Sequence, residues 1–360
     1  MKDAPVMILA GGTGGHVFPA LAVAEELRRR RVAVIWIGTR RGLEARVVPA
    51  AGIAIEWLEV RGLRGKGWRG WLGAPAMLLR ALWQALSLVR RYRPQAVLGM
   101  GGYAAGPGAL AAWLLRRPLL IHEQNATAGF TNRLVRRLAR VVMTGFPGEV
   151  AGRGAPCVWT GNPVRSEITR VAAPQRRYAV RQDPPRLLVL GGSQGAAVLN
   201  QIVPAALAEL ASAQRPVVRH QAGERTLALA REAYCRHAIV AQVSAFIDSM
   251  AEAYGWADLV ICRAGALTVA ELSVVGVASV LVPFPHAVDN HQTANARYLS
   301  RAGAAVLVPQ HAFSAQHLSR VLVSLLGDRD RLWIMAQRAR QQARPQATAC
   351  VAALCLEMAA

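Results

Sequence analysis

Two short glycine-rich stretches lie about half a chain apart, and each follows an apolar run. The first is Val6-Met7-Ile8-Leu9-Ala10 and then Gly11-Gly12-Thr13-Gly14-Gly15-His16. The second is Leu187-Leu188-Val189-Leu190 and then Gly191-Gly192-Ser193-Gln194-Gly195. Glycine permits a sharp turn and close approach of the backbone to a ligand. A helix behind such a turn presents free N–H groups and the positive end of its dipole, which suit phosphate. His16 sits at the predicted start of such a helix, where the neutral imidazole is favoured, and is a candidate general base. The plainer reading is a histidine that caps or packs at a helix start. The first stretch is no dinucleotide fingerprint, because Val17 stands where a third glycine is needed, and no Gly-Lys-Ser/Thr makes it a Walker A loop.

Buried strands must carry these turns. Val32–Ile37, Ala96–Leu98, Leu119–Ile121 and Val141–Thr144 read as short apolar strands in the first half, alternating with amphipathic patterns such as 20–30. Leu187–Leu190, Val217–His220, Leu259–Cys262, Val280–Val282 and Ala305–Val308 repeat the plan. Near-continuous apolar strands alternating with helices predict an α/β chain with doubly wound parallel sheets. Ligands then gather at the carboxyl ends of the strands.

A chain of 360 residues suits two domains of about 150–200 residues each. Hydrophobic content of 53% marks it as globular. No apolar run reaches about 18 residues, since Arg116, Arg117, Arg263 and Glu271 interrupt the best candidates. Val6–Ala10 is too short for a signal-peptide core, so the chain is expected in the cytosol unless it docks on a surface. The cysteines at 157, 235, 262, 350 and 355 form no CxxC pair, which argues against disulfides and a thiolate zinc site. Net charge is +22, from 41 Arg and only Lys2 and Lys66 besides. That charge favours anionic partners, either phosphate-bearing substrates or an anionic membrane face. No RNA-binding aromatic signature, zinc finger or basic zipper is present, so nucleic acid is not expected.

Further motifs follow in order: Gly101-Gly102-Tyr103, His122-Glu123-Gln124-Asn125, Gly161-Asn162-Pro163-Val164-Arg165 and Arg263-Ala264-Gly265-Ala266-Leu267-Thr268. With the two glycine stretches, the set resembles the MurG family of bacterial GT-B glycosyltransferases. The resemblance spans Val6 to about Gly303. It implies two Rossmann-like domains facing a cleft, with 1–163 plus 341–360 on the acceptor and membrane side and 164–340 on the UDP-sugar side. It implies inverting transfer of N-acetylglucosamine from UDP-GlcNAc to the 4-hydroxyl of the muramyl sugar of lipid I, forming lipid II for peptidoglycan. The partners implied are UDP-GlcNAc, lipid I and the anionic cytoplasmic face of the inner membrane, with the enzyme peripheral there.

Residue by residue, the resemblance places Thr13, Gly14 and Gly15 near the acceptor diphosphate and Asn125 near the donor sugar or acceptor. Arg165 would neutralise phosphate charge, against the plainer reading of a solvated linker charge. Ser193 would meet the donor diphosphate, as would the amides around Ala266, Leu267, Thr268, Val269 and Ala270. Ile247 would present backbone groups to uracil. Glu271 would grip the ribose hydroxyls, a task that suits an acceptor-only carboxylate; without the motif it reads as a helix-surface Glu. Gln292 would read the sugar's hydroxyls. His122 reads equally well as a packed strand-end histidine. The chemistry needs a base for the hydroxyl and stabilisation of the leaving diphosphate. No paired aspartates stand near a strand end, so no metal or other cofactor is expected, and helix dipoles and Arg take that task.

The segment 63–93 interleaves Arg64, Lys66 and Arg69 with Trp68, Trp71 and Leu72, and Pro75 then opens a helix. Leu78, Leu82, Ala85 and Val89 form a predicted core face, and Leu79 and Trp83 a second stripe. Arg80, Arg90 and Arg91 flank it, as anionic headgroups would require; burial of both stripes is the alternative. Rival functions are an NAD-dependent oxidoreductase, a non-catalytic membrane-surface protein, and a GT-B enzyme for another lipid acceptor. Gly38-Thr39-Arg40 ends the second strand without an acidic residue, which weighs against the first.

Overall fold

The computed structural model describes residues 4–61, 74–148, 155–181, 184–192, 195–287 and 290–359. The chain divides into two compact units: Met1–Arg165 with Pro345–Ala360, and Ser166–Arg344. Trp68, Trp71 and the rest of the predicted docking loop at 62–73 lie outside the described residues, as do Ser193 and Gln194.

The first unit holds a seven-stranded sheet in the order β3-β2-β1-β4-β5-β6-β7. Its strands are β1 (Val6–Ala10), β2 (Val34–Gly38), β3 (Ala54–Trp57), β4 (Ala96–Gly101), β5 (Leu119–Glu123), β6 (Val141–Thr144) and β7 (Cys157–Trp159). All pair in parallel. Side chains alternate across a strand, so β1 feeds two cores. Val6, Ile8 and Ala10 pack with helix Gly14–Arg29 and with Val351 and Cys355 of the last helix, Ala347–Glu357. Met7 and Leu9 pack with Ala81, Ala85 and Val89 of helix Ala74–Tyr92 and with Ala105, Ala109 and Ala112 of helix Ala105–Leu114. Thr348 Oγ1 donates to Val164 O at 3.1 Å and Arg30 Nη2 to Ala349 O at 3.2 Å, which fastens the returning chain to this unit.

The second unit holds six parallel strands in the order β10-β9-β8-β11-β12-β13. They are β8 (Arg186–Leu190), β9 (Val217–Gln221), β10 (Gln242–Ser244), β11 (Leu259–Cys262), β12 (Ala278–Leu281) and β13 (Ala305–Leu307). Leu187, Val189, Leu259 and Ile261 meet Leu199, Val203 and Leu207 of helix Ala197–Ala208 in its main core.

In each sheet the strand order reverses at one place: between β1 and β4, and between β8 and β11. Connections leave such a switch point in opposite directions, which opens a crevice at the carboxyl ends. The loops ending β1 and β4 hold Gly11–Gly15 and Gly101–Gly102; those ending β8 and β11 hold Gly191–Gly195 and Arg263–Thr268.

One expectation fails on helix Ala74–Tyr92. Leu78, assigned to the core face, is 42% exposed, and Ala81 takes its place beside Ala85 and Val89. Met77, Leu82, Leu86 and Leu88 pack partly buried around these alanines, so the inward face is rotated away from Leu78.

Candidate functional site

In the first unit, Gly11 to Gly15 turn β1 into the helix. Gly12 takes φ +93°, and Thr13 is the extended N-cap residue (φ −101°, ψ 160°) whose carbonyl accepts His16 N at 3.1 Å. The amides of Gly14 and Gly15 precede the first intrahelical bonds. Gly12 N is already taken: it donates to Glu44 Oε2 at 2.9 Å. Glu44 is fully buried, and its Oε1 also accepts Thr39 N at 2.9 Å and Thr39 Oγ1 at 2.7 Å. One buried carboxylate thus ties the first glycine turn to the loop after β2. Nothing in the spacing of Gly38-Thr39-Arg40-Arg41-Gly42-Leu43-Glu44 announces it.

Gly101 and Gly102 back onto this turn with φ +101° and +89°. A Cβ on Gly102 would stand 2.2 Å from Gly11 O, and one on Gly101 would stand 2.7 Å from His16 Nδ1. His16 is half-buried, and its Nδ1 lies 3.1 Å from Gln124 Oε1. Asn125 is half-buried with N and Nδ2 bound back to Glu123 Oε1 at 2.9 and 3.3 Å. Glu123 Oε2 accepts Gly129 N and Asn132 Nδ2, each at 2.9 Å, so this buried carboxylate shapes the 123–129 loop. His122 is a packed strand-end residue. It is fully buried with Nε2 donating to Gly161 O at 3.0 Å, and burial pushes its pKa down to about 4. Arg165 is no solvated linker charge: its guanidinium carbon lies 5.7 Å over the ring of Phe18.

In the second unit, Gly191 N donates to Gln221 O at 2.8 Å, and Gly192 and Gly195 take φ +76° and +77°. The hydrogen-bonded groups packed beneath are neutral. Asn200 Nδ2 donates to Ala222 O and Thr226 O, both at 3.2 Å, and its Oδ1 meets His220 Nε2 at 3.0 Å. Tyr234 OH lies 3.0 Å from His220 Nδ1, and burial lowers the His220 pKa to about 4. Since Asn200 Oδ1 accepts, Nε2 carries the histidine proton and Nδ1 accepts from the tyrosine.

Helix Ala266–Val275 follows β11, with Gly265 as N-cap residue. Its first intrahelical bond is Val269 N to Gly265 O at 2.9 Å, so the amides of Ala266, Leu267 and Thr268 lead it. Val269 is core, and its amide and that of Ala270 belong to the helical ladder. Glu271 is not a surface residue: it is 5% exposed and accepts Tyr254 OH at 3.0 Å on Oε2. Arg177, buried, donates to Val275 O at 3.0 Å, to Gly276 O and to Tyr254 O at 3.5 Å, which locks the end of this helix to the tyrosine. Ile247 is half-buried in the loop after β10, behind exposed Phe246. Gln292 Oε1 accepts Phe284 N at 2.9 Å, which ties the first turn of its helix to the loop after β12. Arg263 clamps the same loop through Val282 O at 3.1 Å, Pro283 O at 3.3 Å and Gln310 Oε1 at 2.7 Å. The sequence's Asp328-Arg329-Asp330 string caps a helix, Asp328 Oδ1 accepting Arg331 N at 2.9 Å.

Sequence reasoning gave no role to Glu44, Gln124, Arg177, Asn200, His220 or Tyr254. Of these six, Gln124 alone lay inside a quoted motif. The others act from elements remote in sequence.

Comparison with known proteins agrees with this layout. Residues 6–144 match the glycosyltransferase family 28 N-terminal domain and residues 186–350 its C-terminal domain. A protein of Alkalilimnicola ehrlichii is 66% identical over 355 residues, covering 99% of each chain. One of Halorhodospira halophila is 56% identical over 360 residues, covering 100% of this chain and 99% of its own. Both are named UDP-N-acetylglucosamine–N-acetylmuramyl-(pentapeptide) pyrophosphoryl-undecaprenol N-acetylglucosamine transferase. The crystal structure of Acinetobacter baumannii MurG superposes with a TM-score of 0.84 at 40% identity, covering 98% of this chain and 99% of that one. The two parallel-sheet, Rossmann-like units are those of the GT-B class.

Proposed function

The chain belongs to glycosyltransferase family 28, and from that membership we propose that it moves N-acetylglucosamine from UDP-GlcNAc to the muramyl 4-hydroxyl of lipid I, giving lipid II for peptidoglycan synthesis. The observation that carries this reading is the 66% identity, end to end, with a relative whose name states that transfer. The geometry supports it. In the second unit, the glycine turn after β8 and the leading amides of Ala266 to Thr268 flank the switch point, and among the described residues no carboxylate is bonded to these amides, which suits a diphosphate. Buried Glu271 is held by Tyr254 and, as an acceptor-only carboxylate, suits a ribose diol. In the first unit, His16 takes the proton of the attacking hydroxyl, and Arg165 offsets phosphate charge. The helix amides of the second unit supply the electrostatic stabilisation of the leaving UDP.

Lipid I is membrane-bound, so the enzyme must meet a membrane surface. Among the described residues no helix is long and apolar enough to cross a bilayer. Leu79 and Trp83 of helix Ala74–Tyr92 are 68% and 69% exposed, and Trp113 on the adjoining helix is 49% exposed. With Arg80, Arg90 and Arg91 beside them, they form an interfacial anchor for an anionic cytoplasmic face.

A radiolabel transfer assay with UDP-GlcNAc and a lipid I analogue tests the reading. Product is expected from the wild type, with losses of about 100-fold or more for Glu271→Ala and for His16→Ala. Undiminished product from both variants removes the site assignment, and none from the wild type removes the function.

A further inference from the structure

Gln124 stands at the end of β5 and is 1% exposed. Its Nε2 donates to the carbonyls of Met100 at 2.9 Å and His122 at 3.3 Å. Carbonyl oxygens only accept, so the opposite amide orientation would set oxygen against oxygen. The amide oxygen is thereby aimed at His16 Nδ1, 3.1 Å away. An amide oxygen cannot donate, and the shared hydrogen belongs to Nδ1. A neutral imidazole has one N–H, which leaves the lone pair on Nε2.

We propose that Gln124 is a positioning residue that holds His16 as its Nδ1–H tautomer, so that Nε2 is the atom that receives the acceptor's proton. This rests on His16 being the base. In that step the acceptor oxygen bonds to the anomeric carbon, its proton passes to Nε2, and the bond to UDP breaks with its electron pair leaving on the diphosphate. The imidazolium keeps its Nδ1–H bond to Gln124, now charge-assisted and stronger. An amide suits this place better than a carboxylate. It sets the tautomer without adding a negative charge where a diphosphate-bearing acceptor must come.

The device is itself braced. Asn162 Nδ2 donates to Gln124 O at 3.0 Å, which fixes the backbone that carries the amide. Gly101 lies against the imidazole near Nδ1 as well, where an added Cβ would stand 2.7 Å from that atom. The relay therefore joins four segments of the first unit: the first helix, the β4 loop, the β5 end and the Gly161-Asn162-Pro163 turn.

The test is a two-bond ¹⁵N–¹H correlation spectrum of the histidine-labelled full chain at alkaline pH, where imidazoles are neutral, with His16 assigned by its absence in His16→Ala. The wild type is expected to show the proton on Nδ1. Gln124→Met, and Gln124→Asn as a shorter amide that falls short of the ring, are expected to lose that signature. Their kcat should drop by about tenfold or more while KM for UDP-GlcNAc holds. A structural defect alone would not move the tautomer. A wild-type His16 protonated on Nε2 overturns the proposal, and so does a folded Gln124→Met that keeps both the Nδ1–H pattern and the wild-type kcat. Full activity in His16→Ala would instead remove the base reading, and the spectra would still decide whether Gln124 sets the tautomer.

Discussion

The two glycine turns share a backbone plan and differ in what lies beneath them. Under Gly11–Gly15 sits the buried Glu44 carboxylate, which takes the Gly12 amide for itself. Under Gly191–Gly195 sit Thr226, Asn200 and a neutral His220, and no carboxylate bonds a described amide of that turn. A turn that already serves an internal anion is a rigid platform. A turn braced by neutral groups keeps its full positive field for an external anion. The same strand–turn–helix device thus carries the histidine proposed as the base in one unit and suits the proposed leaving diphosphate in the other. The glycine count of each turn says nothing of this division; the buried partner decides it.

The comparison is most sharply broken at its tightest glycines. In Gly195→Ala the new Cβ falls 2.0 Å from Thr226 Oγ1 and 2.7 Å from Ala222 O at a φ of +77°. In Gly102→Ala it falls 2.2 Å from Gly11 O. Each should cost about 3 kcal/mol or more in urea melts, since backbone atoms must shift. Calorimetry should then separate them: UDP affinity falls about tenfold or more in Gly195→Ala and is kept in Gly102→Ala, which loses transfer instead. Equal UDP affinity in both would erase the assigned division of labour.

Glu44→Ala comes next. It strands the amides of Gly12 and Thr39 and the Thr39 hydroxyl, an expected loss of about 3 kcal/mol in urea melts. UDP binding is again expected to hold. A variant as stable as the wild type would show that the carboxylate does not organise the first turn.

Each unit also buries one histidine as its neutral form. His122 and His220 have pKa values lowered by burial from 6.5 to about 4. Between these values the unfolded chain binds protons that the folded chain refuses. Stability is therefore full above pH 6.5 and falls as pH drops towards 4, by about 1.4 kcal/mol per pH unit for each histidine. His220→Gln should remove one proton from the slope of urea stability against pH below 6.5. An unchanged slope would mean that His220 is charged in the fold.

The smallest effect is expected at Gly12→Ala. Its φ is +93°, yet nothing lies within 4 Å of the added Cβ. Only the backbone penalty remains, about 1 kcal/mol. A loss as large as that of Gly102→Ala would mean that positive φ, not crowding, governs these turns.

The strands that the sequence left unread make a coherent set. β3, β7 and β10 were not anticipated, and each is three or four residues at a sheet edge. An edge strand is covered less completely, so it need not be an apolar run, and periodicity has little to register. Helix Gly14–Arg29 opens at its two glycines, two residues ahead of the predicted start at His16.

What the amino-acid order determined by itself was local: where the backbone can reverse, which runs are apolar enough to be covered on both faces, and hence a doubly wound parallel plan with loops at carboxyl ends. Glycine's conformational freedom and the pairing of apolar runs need no knowledge of distant residues. Which amide is free, which imidazole nitrogen holds the proton and which carboxylate is buried depended on partners far along the chain. Glu44 reaches back 32 residues to Gly12, and Gln124 reaches back 108 to His16. Those hydrogen bonds exist only once the sheet has brought strand ends together, so only the tertiary structure could set the chemistry of the turns.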